Sequence, residues 1–84
     1  MDAYRVLIKP SAVKELEAIP KEDRNRISRR IGGLAADPRP PGCEKLSEDK
    51  YRVRQGDYRV IFLVNDESPE VIVFKIGHGR EVYQ

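Results

Sequence analysis

Three arginines flank one turn at a spacing suited to holding phosphate. In the stretch Tyr51-Arg52-Val53-Arg54-Gln55-Gly56-Asp57-Tyr58-Arg59-Val60, Gly56-Asp57 reads as a two-residue hairpin turn with glycine first, which suits the primed turns that hairpins prefer. That turn pairs Gln55 with Tyr58, Arg54 with Arg59, Val53 with Val60 and Arg52 with Ile61. Directly opposed residues share a face of the sheet, and so do residues two apart on one strand. Arg52, Arg54 and Arg59 therefore converge. Opposed like charges destabilise a sheet, and a bound polyanion is the simplest reason to keep them. The other reading is a solvated face neutralised by acids such as Glu48 or Asp57. Arginine's planar fork grips phosphate bidentately and stacks on bases, which lysine cannot do.

Composition narrows the chemistry. At 84 residues the chain is expected to form one small domain, residues 1–84, with room for one core. A chain of this size buries only about 60–65% of the surface it exposes when unfolded. One cysteine, Cys43, excludes an internal disulfide and a cysteine-rich zinc site, and one histidine, His78, argues against a histidine metal cluster. No metal or other cofactor is expected. The mix suits a reducing cytoplasm. No apolar run approaches the roughly 20 residues needed to span a bilayer, and Met1-Asp2-Ala3-Tyr4 does not open a signal peptide. Sixteen Lys plus Arg against fourteen Asp plus Glu leave a net charge of only +2, so distribution says more than the total. Acids fall at expected helix starts and loops (Glu22, Asp23, Glu48, Asp49, Asp66, Glu67), which leaves the hairpin face comparatively basic.

The elements that must position those arginines follow from periodicity. Tyr4 to Ile8 alternates as a first strand, broken at Pro10-Ser11. A helix over about Ser11 to Ile19 carries Val13, Leu16 and Ile19, with Ser11 as the candidate cap. Pro20 separates it from a second helix, in which Glu22 and Asp23 lie where the helix dipole favours negative charge. Ile27, Ile31 and Leu34 form its apolar stripe, and Asp37-Pro38 ends it. Gly32-Gly33 within this helix costs roughly 1 kcal/mol per glycine relative to alanine, and close helix packing or a local kink could account for the pair. Pro38 to Lys50 reads as a loop. Strands follow at Tyr51–Gln55 and Tyr58–Asn65. The second is apolar on both faces beyond Arg59, which marks a central strand. The last strand is Val71 to Ile76, and Gly77 to Gln84 is the tail. The fold class is α+β, in the order β-α-α-β-β-β, with two N-terminal helices packed on a small, mostly antiparallel sheet.

That order, with Tyr51-Arg52-Val53-Arg54, Gly56-Asp57-Tyr58-Arg59-Val60, Ile76-Gly77-His78 and Glu81-Val82-Tyr83, resembles the RelE/ParE superfamily of bacterial type II toxins over nearly the whole chain. The resemblance implies a cytoplasmic toxin neutralised by an antitoxin. RelE-type members enter the ribosomal A site and cut mRNA, whereas ParE-type members inhibit DNA gyrase. Arg52 and Arg54 match the family's two basic positions before the turn, and Arg59 its arginine after the turn. Tyr83 matches its C-terminal tyrosine. The family usually has a further arginine after the glycine-plus-His/Lys step. Gly79 stands at that place here, Arg80 follows, and the role is assigned to Arg80. The catalytic set implied is Arg52, Arg54, Arg59, Arg80 and Tyr83; Arg29, Arg30, Lys45 and His78 are expected as RNA-binding residues beside it.

Under that reading the 2′-hydroxyl of RNA attacks its own phosphate, and the protein orients it and stabilises the phosphorane-like charge. The four arginines suit the electrostatic part. Proton transfer has no evident owner. Tyr83 could act as a base if nearby arginines lower its pKa, or could stack on a base. His78 could donate a proton or serve structure. Arg24, Arg26, Arg29 and Arg30 could form the solvated side of a helix or contact ribosomal RNA backbone. The expected partners are a RelB-like antitoxin that lays an acidic amphipathic segment over the basic groove, the 70S ribosome and its mRNA, and operator DNA only through the antitoxin. A ParE-like gyrase inhibitor and an inactive relic that only binds its antitoxin are the alternatives, and Gly79 sustains the latter.

Overall fold

The computed structural model describes residues 3–79. Strand β1 spans Arg5–Ile8, helix α1 Pro10–Glu17 and helix α2 Lys21–Gly33. Strands β2 (Glu44–Lys45), β3 (Lys50–Gln55), β4 (Tyr58–Asn65) and β5 (Glu70–His78) complete the order. The five strands form one sheet in the order β1-β5-β4-β3-β2. β1 runs parallel to β5, and every other neighbouring pair is antiparallel. This is the α+β arrangement expected, with β4 at the centre. It adds one strand, because Glu44 and Lys45 pair with Arg52 and Tyr51 inside the segment expected to be a loop.

Local chemistry sets the helix ends. Pro10 takes the first helical position of α1, where its missing N–H costs nothing. Lys9, not Ser11, is the N-cap residue, and it makes no side-chain cap bond. Gly32 and Gly33 end α2 rather than interrupting it, and a Cβ added at either would meet nothing within 4 Å. Neither close packing nor a kink is therefore needed to explain the pair.

The core lies between the helices and one face of the sheet. Ala12, Ile19, Ile27, Ile31 and Leu34 meet Tyr51, Val53, Val60, Phe62, Val64, Val71, Val73 and Ile76 there. Phe62 and Val60 are fully buried, and each such side chain contributes about 1.5–3 kcal/mol relative to exposure. Ile61 is also buried but lies outside this cluster, on the opposite face.

β5 continues past the expected strand end at Ile76, because Gly77 and His78 pair with Arg59 and Tyr58. Its register against β4 shifts beside Ile61 and Phe62: Ile61 pairs with Lys75 and Phe62 with Val73, leaving Phe74 as an extra residue. Glu15 of α1 secures this bulge, accepting from the Ile76 N–H (2.9 Å) and from Lys75 Nζ (2.8 Å). A one-residue slip exchanges the faces of a strand. Beyond the bulge, Ile76 and His78 therefore share the helix-covered face, and Gly77 lies beside Arg59 on the other.

Candidate functional site: an arginine cleft on the open face of the sheet

The β3–β4 register is the one the turn implies, with Arg54 opposite Arg59 and Arg52 opposite Ile61. Gly56 adopts φ +61, a left-handed conformation that side chains with a Cβ resist, which is why glycine opens the turn. Arg52, Arg54 and Arg59 line one cleft of about 150 Å³ together with Gly42, Glu44 and Val53.

Glu44 was not anticipated. It sits on β2 directly opposite Arg52, and its Oε1 accepts from Arg52 Nε at 2.8 Å and from Arg52 Nη2. Neither Glu48 nor Asp57 forms an ion pair with these arginines among the described residues. A two-residue strand in a segment rich in proline and glycine leaves no periodic signal, so Glu44 could have been found only by extending the hairpin's register to a third strand. Its Oε2 makes no hydrogen bond with a described residue. Arg54 is exposed and bonds to no described residue, so its guanidinium is available to a ligand.

Arg59 is held differently. Its Nη1 donates to the Tyr58 carbonyl at 3.2 Å, and its guanidinium lies across Gly79. A Cβ at Gly79 would sit 3.0 Å from Arg59 Cζ, 3.1 Å from Nη1 and 3.2 Å from Nη2. Gly79 is itself fixed to the turn by its N–H, which donates to the Asp57 carbonyl at 2.7 Å. Gly79, where the resemblance implies an arginine, is thus the floor on which Arg59 rests.

The other expected site residues among those described are dispersed. Arg80 and Tyr83 lie outside the described residues. His78 turns to the helix-covered face, where its ring meets Tyr58 edge-on at 5.7 Å, so it does not join the arginines. Lys45 is exposed on the outer strand and paired with Tyr51, out of phase with Glu44. Arg29 and Arg30 lie on α2 and line a separate hollow with Gln55. The cleft therefore offers three guanidiniums and one carboxylate, a set that can bind a phosphodiester, stabilise added negative charge on it and accept a proton.

Away from the cleft, Asp66 anchors a polar clamp. Arg39 grips it in fork fashion, at 3.2 Å from Nη1 to Oδ1 and 2.9 Å from Nη2 to Oδ2, and Tyr4 donates to it at 2.6 Å. Arg39 Nε also donates to the Tyr51 hydroxyl at 3.0 Å. The Arg39 fork, then the Tyr4 hydroxyl, hold the Asp66 carboxyl below its ordinary pKa. Among the described residues no helix is long and apolar enough to cross a membrane.

Comparison with known proteins gives a consistent match. Residues 6–83 match the family model described as the ParE toxin of the type II toxin-antitoxin system parDE. The chain resembles the solved archaeal RelE–RelB complex from Pyrococcus horikoshii, with 31% identity and a TM-score of 0.80 over 90% of this chain and 94% of that one. The toxin-antitoxin complex RelBE2 from Mycobacterium tuberculosis gives 22% identity and a TM-score of 0.80, covering 93% of each chain. The intact RelBE complex of E. coli gives 23% and 0.79, covering 90% of this chain and 96% of that one. No curated protein matches significantly.

Proposed function

The chain belongs to the RelE/ParE superfamily of type II toxin-antitoxin toxins, and from that premise we propose that it is a ribosome-dependent endoribonuclease that cuts mRNA in the A site. The observation that carries this reading is the convergence of Arg52, Arg54 and Arg59 with Glu44 in one cleft. The scissile phosphate binds across the arginines. The adjacent 2′-hydroxyl forms the new O–P bond and passes its proton to Glu44. The bond to the 5′-oxygen breaks, and that oxygen takes a proton from Tyr83 or from water. The products are a 2′,3′-cyclic phosphate and a 5′-hydroxyl, and no metal is required. The arginines stabilise the extra charge on the pentavalent phosphate. Glu44 exchanges its partner Arg52 for the substrate hydroxyl. Arg80 serves as a further cation. The ribosome supplies the alignment of the mRNA that so small a cleft does not.

The relatives from Pyrococcus horikoshii, Mycobacterium tuberculosis and E. coli were solved with antitoxins, which supports a cognate antitoxin here. An acidic segment of that partner would cover the arginine cleft and exclude RNA. Action in the cytoplasm, as a single-domain toxin, belongs to the same reading.

The test is in vitro translation of a defined mRNA on purified ribosomes with the wild-type protein or Arg59→Ala, with mRNA ends mapped by primer extension. Cuts at A-site codons with the wild type, lost in the variant and absent without ribosomes, are expected. Intact mRNA with both proteins would overturn the reading. The match to the ParE family model favours inhibition of gyrase as the second reading, and a supercoiling assay with the same protein decides for or against it.

A further inference from the structure

On the helix-covered side of the hairpin end lies a second basic site. A hollow of about 450 Å³ is lined by Arg26, Arg29, Arg30, Gly33, Leu34, Pro40 and Gln55. Arg26, Arg29, Arg30 and Gly33 follow the i, i+3, i+4, i+7 spacing that makes one stripe of a helix. Like charges at these spacings destabilise a helix, and no carboxylate lines the hollow to relieve them. Asp23 reaches Arg26 only at 3.4 Å. Arg30 Nε is buried and has no hydrogen-bond partner among the described residues, a state that costs free energy until an acceptor arrives. At Gly33 an added Cβ would meet nothing within 4 Å, so the glycine leaves the hollow open.

We propose that this hollow is a nucleotide-sized RNA site, with a backbone phosphate on Arg26, Arg29 and Arg30 and the ribose and base against Leu34, Pro40 and Gln55. Arginine forks match phosphate and carboxylate alike, and phosphate is favoured here because the hollow adjoins the cleft proposed to hold RNA. The volume lies within the roughly 300–1,000 Å³ of small-molecule pockets. Gln55 and Arg54 are consecutive residues of β3 that face opposite sides of the sheet, and they line the hollow and the arginine cleft respectively. An RNA strand rounding the turn therefore meets two anchoring points. The inference rests on RNA being the ligand, as proposed above, but not on cleavage.

The test is equilibrium binding of a fluorescent, uncleavable 2′-O-methyl RNA 12-mer, followed by anisotropy across a salt series. The proteins are the wild type, Arg29→Gln/Arg30→Gln, Gly33→Leu and Arg54→Gln, each first checked for a cooperative thermal transition. The double variant is expected to bind about tenfold or more weakly, and its slope of log K against log salt should be shallower by about 0.7, the value for one lost phosphate contact on a single strand. Gly33→Leu fills the hollow without removing charge, so affinity should fall at unchanged slope. If both variants bind like the wild type while Arg54→Gln weakens, the hollow is not an RNA site and the proposed function survives. No binding by the wild type would overturn the hollow as well. Equal competition by an acidic peptide of the same charge would assign the hollow to a protein partner and overturn the proposal too.

Discussion

Glu44 and Gly79 together decide how the arginine cleft is disposed, one by holding a cation and the other by yielding space to one. Glu44→Gln removes the carboxylate but keeps the shape. If Glu44 accepts the substrate proton, the single-turnover cleavage rate should fall about 100- to 10,000-fold, the usual range for losing a positioned acid or base. RNA affinity should hold or tighten, because Arg52 loses its internal counter-charge. A rate that follows affinity instead would reduce Glu44 to a mere partner of Arg52. Gly79→Ala tests the opposite device. Its Cβ would fall about 3.0 Å from Arg59 Cζ, tighter than most real contacts, so the guanidinium must shift off its present seat. Cleavage should drop while the melting temperature stays within a few degrees, and the Arg59 Nε–Hε resonance should move. An unmoved resonance with unchanged cleavage would show that Arg59 does not depend on this floor.

The turn and the bulge are the two elements that bring these residues together. With Gly56 at φ +61, Gly56→Ala should cost about 1–2 kcal/mol, lowering the melting temperature by about 4–8 °C for each kcal/mol in a domain this small. A thermal melt checks it, and an unchanged transition would mean that the turn relaxes freely. The turn was also the most legible part of the sequence. Gly-Asp between alternating strands set both register and face, and so placed Arg52, Arg54 and Arg59. The bulge at Phe74 was not legible. Val71 to Phe74 is apolar without a break, so nothing in its pattern betrays a switch of parity, and His78 could not be sent to the Tyr58 side by counting. β2 was hidden for a different reason: two residues cannot show a period of two. Glu44, the carboxylate that sequence reasoning lacked, was lost with it.

At the scale of the whole molecule, the Asp66 clamp ties the chain entry at Tyr4 to the loop at Arg39 and the β4–β5 turn. Because folding lowers the Asp66 pKa, its contribution is complete above the ordinary carboxylate range and is lost as pH falls through the lowered value. Asp66→Asn should therefore melt several degrees lower at neutral pH, with the difference from wild type narrowing towards pH 2. A constant difference across that range would assign the loss to shape and not to charge. The sheet order carries a last consequence, for how the protein is made. β5 is the last of the five strands to emerge yet lies between β1 and β4, so β1 and one edge of β4 wait for it. A nascent chain stopped at Asn65 has no partner for β1 and no wall for Phe62, and limited proteolysis should digest it like an unfolded peptide. A protected fragment would refute this. Translation interrupted before β5 would thus release only inert pieces, which confines the hazard of the folded protein to copies that carry that strand.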